Sequence, residues 1–268
     1  MLALPGGGFV QLPQEGIGKT EGAAGMTGTG QDIPGYLVCT HPRSGSSYFC
    51  QLLESTGKLG KPLEYFTHGH MRRRFADPAD PASLQAQMHH FEQVAASSNG
   101  LRAAKLFWFD MPGLAKSRLL DRFAGYRAVH LERADKLGQA ISISRALRTG
   151  QIRSDMGAAD SSASYEYDDI RRRLETLLTA DASWKAFFKK QRMRPLHILY
   201  EDVTANPQAA VDRVARLVGL ESAPIDKDGV TLRMQRDTLN SEWRERFLAE
   251  VSQRNPGLAE GLKGATAA

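Results

Sequence analysis

Cysteine is scarce in this chain: Cys39 and Cys50 are the only two in 268 residues. So few exclude a disulfide framework and argue against a cysteine metal site, so a reducing cytosol is the expected compartment. No apolar run approaches the roughly 20 residues that a membrane span needs. The N-terminus has no charged-then-apolar leader, and no internal repeat is visible. Blocks of five or more like charges are also missing. The triplets Arg72–Arg74 and Arg171–Arg173 are short, and read as solvated faces rather than nucleic-acid patches. What remains is ordinary globular composition, 41% hydrophobic and 24% charged, with a net charge of +5 and a pI near 9.2. That balance suits a small polyanionic ligand.

One stretch organises the rest: Tyr36–Thr56, YLVCTHPRSGSSYFCQLLEST. It reads as a buried strand over Tyr36–Thr40, a tight loop, and a helix with Phe49, Leu52 and Leu53 on its apolar face. Ser46 or Ser47 is the expected cap. A loop of Gly and Ser feeding a helix N-terminus presents unpaired amides and a positive dipole end to an anion. Arg43 adds a fixed, forked cation, and Ser44, Gly45, Ser46 and Ser47 add donors and a turn. The plain alternative is a βα turn with one surface Arg.

Residues 1–33 are Gly-rich, without periodicity, and read as a disordered extension. Met26 is an alternative start. Gly18-Lys19-Thr20 resembles the end of a Walker A loop, but Pro13 stands where its first Gly belongs and no strand precedes it. Further on, the pattern predicts helices over 81–97, 110–123, 135–147 and 165–188. It predicts strands over 101–108, 126–131 and 196–200. A helix follows Asn206-Pro207 and a last one opens near Ser241. Strands alternating with helices predict an α/β fold, one domain over 34–255 with a central parallel sheet flanked by helices, and a flexible tail over 256–268. Ligands then belong at the C-terminal ends of the strands.

Two more basic groups fit that rim. Arg133 leaves the third strand, and Ser142 lies nine residues later on the following helix. Arg133 could instead pair with Asp135 or Glu132, and Ser142 could bond back to its own helix. Near the C-terminus, Arg236 stands seven residues before Trp243, with Arg233 as its competitor. Lys105, inside an apolar strand, needs a reason: a cation aimed at a ligand, or a side chain snorkelling from an edge strand.

PRSGSS resembles the 5′-phosphosulfate loop of the sulfotransferase superfamily. GKPLEYF, AAKLFW, SWKAFF and RMQRDTLNSEWRERF are similar to segments of the bacterial trehalose 2-sulfotransferase type, over roughly residues 36–247. Thr149–Ser164 has no clear counterpart. The resemblance implies a P-loop-like sulfotransferase fold and 3′-phosphoadenosine 5′-phosphosulfate as co-substrate, without a metal. It implies 3′-phosphate contacts from Arg133 and Ser142, with Arg236 as a third contributor. The implied partner is a small hydroxyl acceptor, a carbohydrate such as a trehalose-like disaccharide, with a homodimer left open.

Sulfuryl transfer to a sugar hydroxyl needs an aligned base and cations on the leaving phosphate. Glu64 occupies the position of the family's catalytic Glu. Its flanks Leu63, Tyr65 and Phe66 are expected to strip water from it and raise its pKa. His68 and His70 are the rival bases, and a surface Glu beside Lys61 is the plain alternative. Arg43 and Lys105 form the expected clamp on the sulfuryl and leaving groups. Competing classes are a P-loop-like kinase and a non-catalytic nucleotide- or carbohydrate-binding protein.

Overall fold

The first strand, β1 (Gly35–Thr40), is buried along its whole length, as its unbroken apolar run requires of a strand covered on both faces. In the computed structural model, which describes residues 33–66, 81–149, 164–232 and 238–265, β1 lies inside a four-stranded parallel sheet. Its partners are β2 (Arg102–Phe107) and β3 (Arg127–Glu132), and β4 (Leu196–Leu199) extends the sheet beyond β3. The order β2-β1-β3-β4 puts neighbours on opposite sides of β1, so the chain switches direction there and a crevice opens at the C-terminal end of β1.

The helices are α1 (Ser46–Ser55), α2 (Pro81–Val94), α3 (Met111–Lys116), α4 (Lys136–Thr149) and α5 (Tyr167–Lys190). Then come α6 (Tyr200–Ala205), α7 (Pro207–Leu217), α8 (Thr238–Arg254) and α9 (Pro256–Ala265). One sheet face, with Tyr36, Val38, Val129 and Leu131, packs on Phe49 and Leu53 of α1 and Val211 and Val214 of α7. The other, with Leu37, Cys39, Leu106 and Ala128, packs on Trp184 and Phe188 of α5 and Phe91 of α2. A third cluster joins α4, α5 and α8 through Ile141, Ile170, Leu174, Trp243 and Phe247. The apolar side of the long helix α5 is thus core. Both cysteines are free and buried, and burial pushes both thiols up, Cys50 to about 12. Among the described residues no helix is long and apolar enough to cross a membrane.

Several elements depart from the sequence reading. The 110–123 helix is broken: α3 stops at Lys116, Arg118 takes a left-handed φ of 54°, and a 3-10 turn spans Leu119–Phe123. That conformation ends a helix as a Gly would. β4 stops at Leu199, and Tyr200 opens α6 instead of ending the strand. The segment expected as a tail from residue 256 is helical to Ala265, because Leu258, Ala259 and Leu262 give α9 an apolar side that packs on the third cluster.

α5 also carries a buried charge group. Asp181 Oδ1 lies 3.2 Å from His41 Nε2, and its other oxygen meets Lys136 Nζ. Burial pushes the Asp181 carboxyl up, but His41 and Lys136 outweigh it and hold the group below the usual carboxylate range. Asp181→Asn should therefore lower stability at pH 7 by about 1–3 kcal/mol, since half-buried Lys136 loses its counter-charge and buried His41 its carboxylate neighbour. A carboxyl depressed in the folded state contributes fully above its unfolded value of about 3.9 and loses that contribution as pH falls through the folded one. In urea unfolding the gap between wild type and variant should narrow only below about pH 4. A gap constant down to pH 2.5 would show that the charge is not what Asp181 contributes.

Candidate active site

Between Thr40 and Ser46 the chain turns through His41–Gly45, and two of those residues are left-handed: Arg43 at φ 61° and Gly45 at φ 79°. An Arg in that region costs on the order of 1–3 kcal/mol, so its surroundings must hold it there. Gln139 Nε2 of α4 donates to Pro42 O at 2.8 Å, Trp184 Nε1 donates to Thr40 O at 3.3 Å, and the Thr40 and Ser44 hydroxyls bond at 2.8 Å. Gly45 has no substitute. A Cβ there would sit 2.1 Å from Cδ2 of Tyr200. Gly45, not Ser46 or Ser47, is the N-cap of α1, and no side chain caps the helix. The cap expected of a serine is absent because the chain enters the helix through a left-handed glycine. The first amides of α1 are left without a side-chain acceptor, which suits an anion.

The cations gather on the β3 side of this loop. Arg43 Nε donates to Ser142 Oγ at 2.9 Å, so Ser142 faces the loop rather than its own helix. Burial lowers the Arg43 pKa, and repulsion from Arg133 and Arg145 lowers it further. Arg133 Nη2 lies 3.4 Å from Asp135 Oδ2, realising the pairing alternative, yet its guanidinium also stands 5.8 Å from the Tyr200 ring. Its Nε is buried with no hydrogen-bond partner among the described residues. Asp135 caps α4, accepting Gly138 N–H at 2.9 Å, and takes Arg244 Nη1 of α8 at 2.7 Å. Burial pushes its carboxyl up, but Arg244, the Gly138 amide and Arg133 hold it below the usual range. Arg145 Nη1 donates to Asn240 Oδ1 at 2.7 Å, tying α8 to the cluster a second time.

The β2 side is different. Leu63 forms a single parallel bridge to Ala104, with Lys105 N–H donating to Leu63 O at 3.0 Å. That bridge carries Glu64 to Lys105, whose Nζ lies 2.7 Å from Glu64 Oε1 and 3.2 Å from Ser47 Oγ. The Lys105 side chain is 4% exposed, so it does not snorkel to solvent. The flanks expected to enclose Glu64 do not: Tyr65 and Phe66 turn into the core against Phe91, and Leu63 is exposed. Lys105 is the group that neighbours the carboxylate. A cleft also opens beside the loop, walled by His41, Pro42, Trp108, Phe109, Ile143 and Leu177.

Contacts thus gather Ser142, Lys105, Glu64 and, through Tyr200, Arg133 around the loop that carries Arg43, Ser44, Gly45, Ser46 and Ser47. Arg236, Arg233, His68, His70 and most of the unmatched middle segment lie outside the described residues. Sequence reasoning missed Arg145, Arg244 and Tyr200, and named Asp135 only as an alternative partner of Arg133. Arg145 follows Ser142 by three residues, one helical turn, and that spacing was its available signal.

The Stf0 sulphotransferase family model matches residues 35–107 and 100–250. A trehalose 2-sulfotransferase of Mycobacterium tuberculosis is 29% identical over 259 residues, which cover 81% of this chain and 95% of that one. A trehalose 2-sulfotransferase of Mycolicibacterium smegmatis is 25% identical over 257 residues, covering 81% and 96%. Among solved structures, a sulfotransferase from Alicyclobacillus acidocaldarius aligns with a TM-score of 0.49 at 17% identity, covering 85% of this chain and 96% of that one.

Proposed function

This chain belongs to the Stf0 sulphotransferase family, and from that premise we propose that it moves a sulfuryl group from 3′-phosphoadenosine 5′-phosphosulfate to a hydroxyl of a carbohydrate. The two relatives named for trehalose make a trehalose-like disaccharide the first acceptor to try. One observation carries the reading: buried Lys105 bonds both Ser47 of the anion loop and Glu64, so a candidate base and a candidate phosphate site share one cation.

The residues fit such a donor. Arg43 is depressed by burial and by its cationic neighbours, and Arg133 Nε is idle in a buried position. A ligand bearing two phosphate-type groups relieves both. When bound, the donor supplies a sulfuryl group on an acidic leaving phosphate. The α1 amides, Arg43, Ser44, Ser46 and Ser47 hold the 5′ end. Arg133 and Ser142 hold the 3′-phosphate, Arg145 adds positive potential, and Arg236 is the further candidate there. Glu64 takes the proton of the acceptor hydroxyl as that oxygen bonds to sulfur. Lys105 and Arg43 stabilise the charge on the bridging oxygen as its bond to sulfur breaks. Trp108 and Phe109 offer an aromatic wall to a sugar ring.

Ligand-dependent melting of the full chain tests the donor assignment. Adenosine 3′,5′-bisphosphate at 100 times its Kd should stabilise by about 2.7 kcal/mol without metal, and adenosine 5′-monophosphate far less. Equal stabilisation by the two would remove the 3′-phosphate site. Stabilisation by ATP with magnesium alone would point to phosphoryl transfer, and by trehalose alone to a carbohydrate-binding protein.

A further inference from the structure

We propose that the β3–β4 edge carries a zinc site formed by His130, Glu132 and His197. The sheet itself assembles it. His130 and Glu132 stand two residues apart on β3, so both leave the same face. His197 on β4 is the in-register partner of His130 and shares that face. His130 Nδ1 lies 3.5 Å, and His197 Nδ1 3.6 Å, from one oxygen, Glu132 Oε2. One ligand atom from each of the three residues falls within 4.8 Å of the others. A tetrahedral ion with bonds of about 2.0–2.1 Å spaces its ligands by about 3.4 Å, and two His with one Glu is a donor set that zinc takes.

The second observation is the state of His130. It is 0% exposed, and neither ring nitrogen has a hydrogen-bond partner among the described residues. Folds rarely leave a buried imidazole idle at both nitrogens. Phe188 packs against the ring with centroids 5.3 Å apart and fixes its position. His197, 56% exposed, gives the ion a way in. Lys185 and Lys136 approach Glu132 through its other oxygen, Oε1, at 3.4 and 4.0 Å, which leaves Oε2 for the metal. The ion would join β3 to β4 one residue before Arg133. The sulfuryl chemistry is not routed through it, and the inference stands apart from that reading.

Metal-free full chain without an affinity tag should take up one equivalent of Co2+ with the strong visible bands of a tetrahedral ion, and Zn2+ should displace it. His197→Ala and Glu132→Gln should each weaken Zn2+ binding at least tenfold, while far-ultraviolet circular dichroism stays unchanged. His89→Ala and a His68→Ala/His70→Ala double variant should bind as wild type. The site is overturned if the bands never appear, if both His197→Ala and Glu132→Gln keep wild-type affinity, or if only the double variant loses the ion.

Discussion

Glu64→Gln should leave donor binding nearly unchanged and cut turnover by roughly 100- to 10,000-fold, the usual contribution of a positioned base. The amide keeps the size of the carboxyl and can still accept a hydrogen bond from Lys105, now at 2.7 Å from Glu64 Oε1. It cannot take a proton at neutral pH. Release of adenosine 3′,5′-bisphosphate with a panel of disaccharides gives turnover, and melting with the bisphosphate gives donor binding. If Glu64→Gln keeps near-normal turnover while His68→Ala or His70→Ala abolishes it, the base is that histidine. If donor binding collapses along with turnover, the Glu64–Lys105 pair is holding the loop rather than taking the proton.

Arg43→Ala should fail differently. Its guanidinium belongs to the loop and is anchored, through Ser142, on α4. Its loss should weaken bisphosphate binding about 10- to 100-fold, the range for a charge-assisted hydrogen bond. Turnover at saturating donor should fall a further 100- to 1,000-fold if, as proposed, the same charge faces the leaving phosphate as it departs. A variant with normal bisphosphate affinity would mean that Arg43 only shapes the turn. Arg43→Lys separates the two roles: it keeps a charge but not the Nε donor to Ser142.

The loop was legible because its information is local. PRSGSS names its own turn, and Gly45 alone accepts both the left-handed φ and the Tyr200 ring. The strand–helix alternation was legible for the same reason, and Lys105 stood out as a charge in an apolar strand. Tertiary pairing was not legible. Nothing near Asp135 announces Arg244, 109 residues away in sequence, as its partner. Tyr200 looked like a strand residue because β-favouring side chains run through it, and only the fold shows that its ring must face Gly45. The same blindness produced the expected desolvation of Glu64: a turn at Tyr65 and Phe66 puts both rings in the core, and the bridge from Leu63 to Ala104 brings a lysine instead. The last helix escaped notice because Gly257, Gly261 and Gly264 argue against it, while docking on α8 favours it.

The position of β1 has an evolutionary corollary. Because it separates β2 from β3, the cradle of Arg133, Ser142 and Arg145 and the pair of Glu64 and Lys105 are encoded on opposite flanks and meet only at His41–Gly45. On the proposed reading, the residues flanking Glu64 within 61–66 and those of 108–110 can therefore vary with the acceptor alcohol while the cradle proposed for the nucleotide keeps its geometry. Grafting these two segments from a paralogue with another acceptor should transfer selectivity piecemeal, with the hinge of the exchange at the five-residue turn.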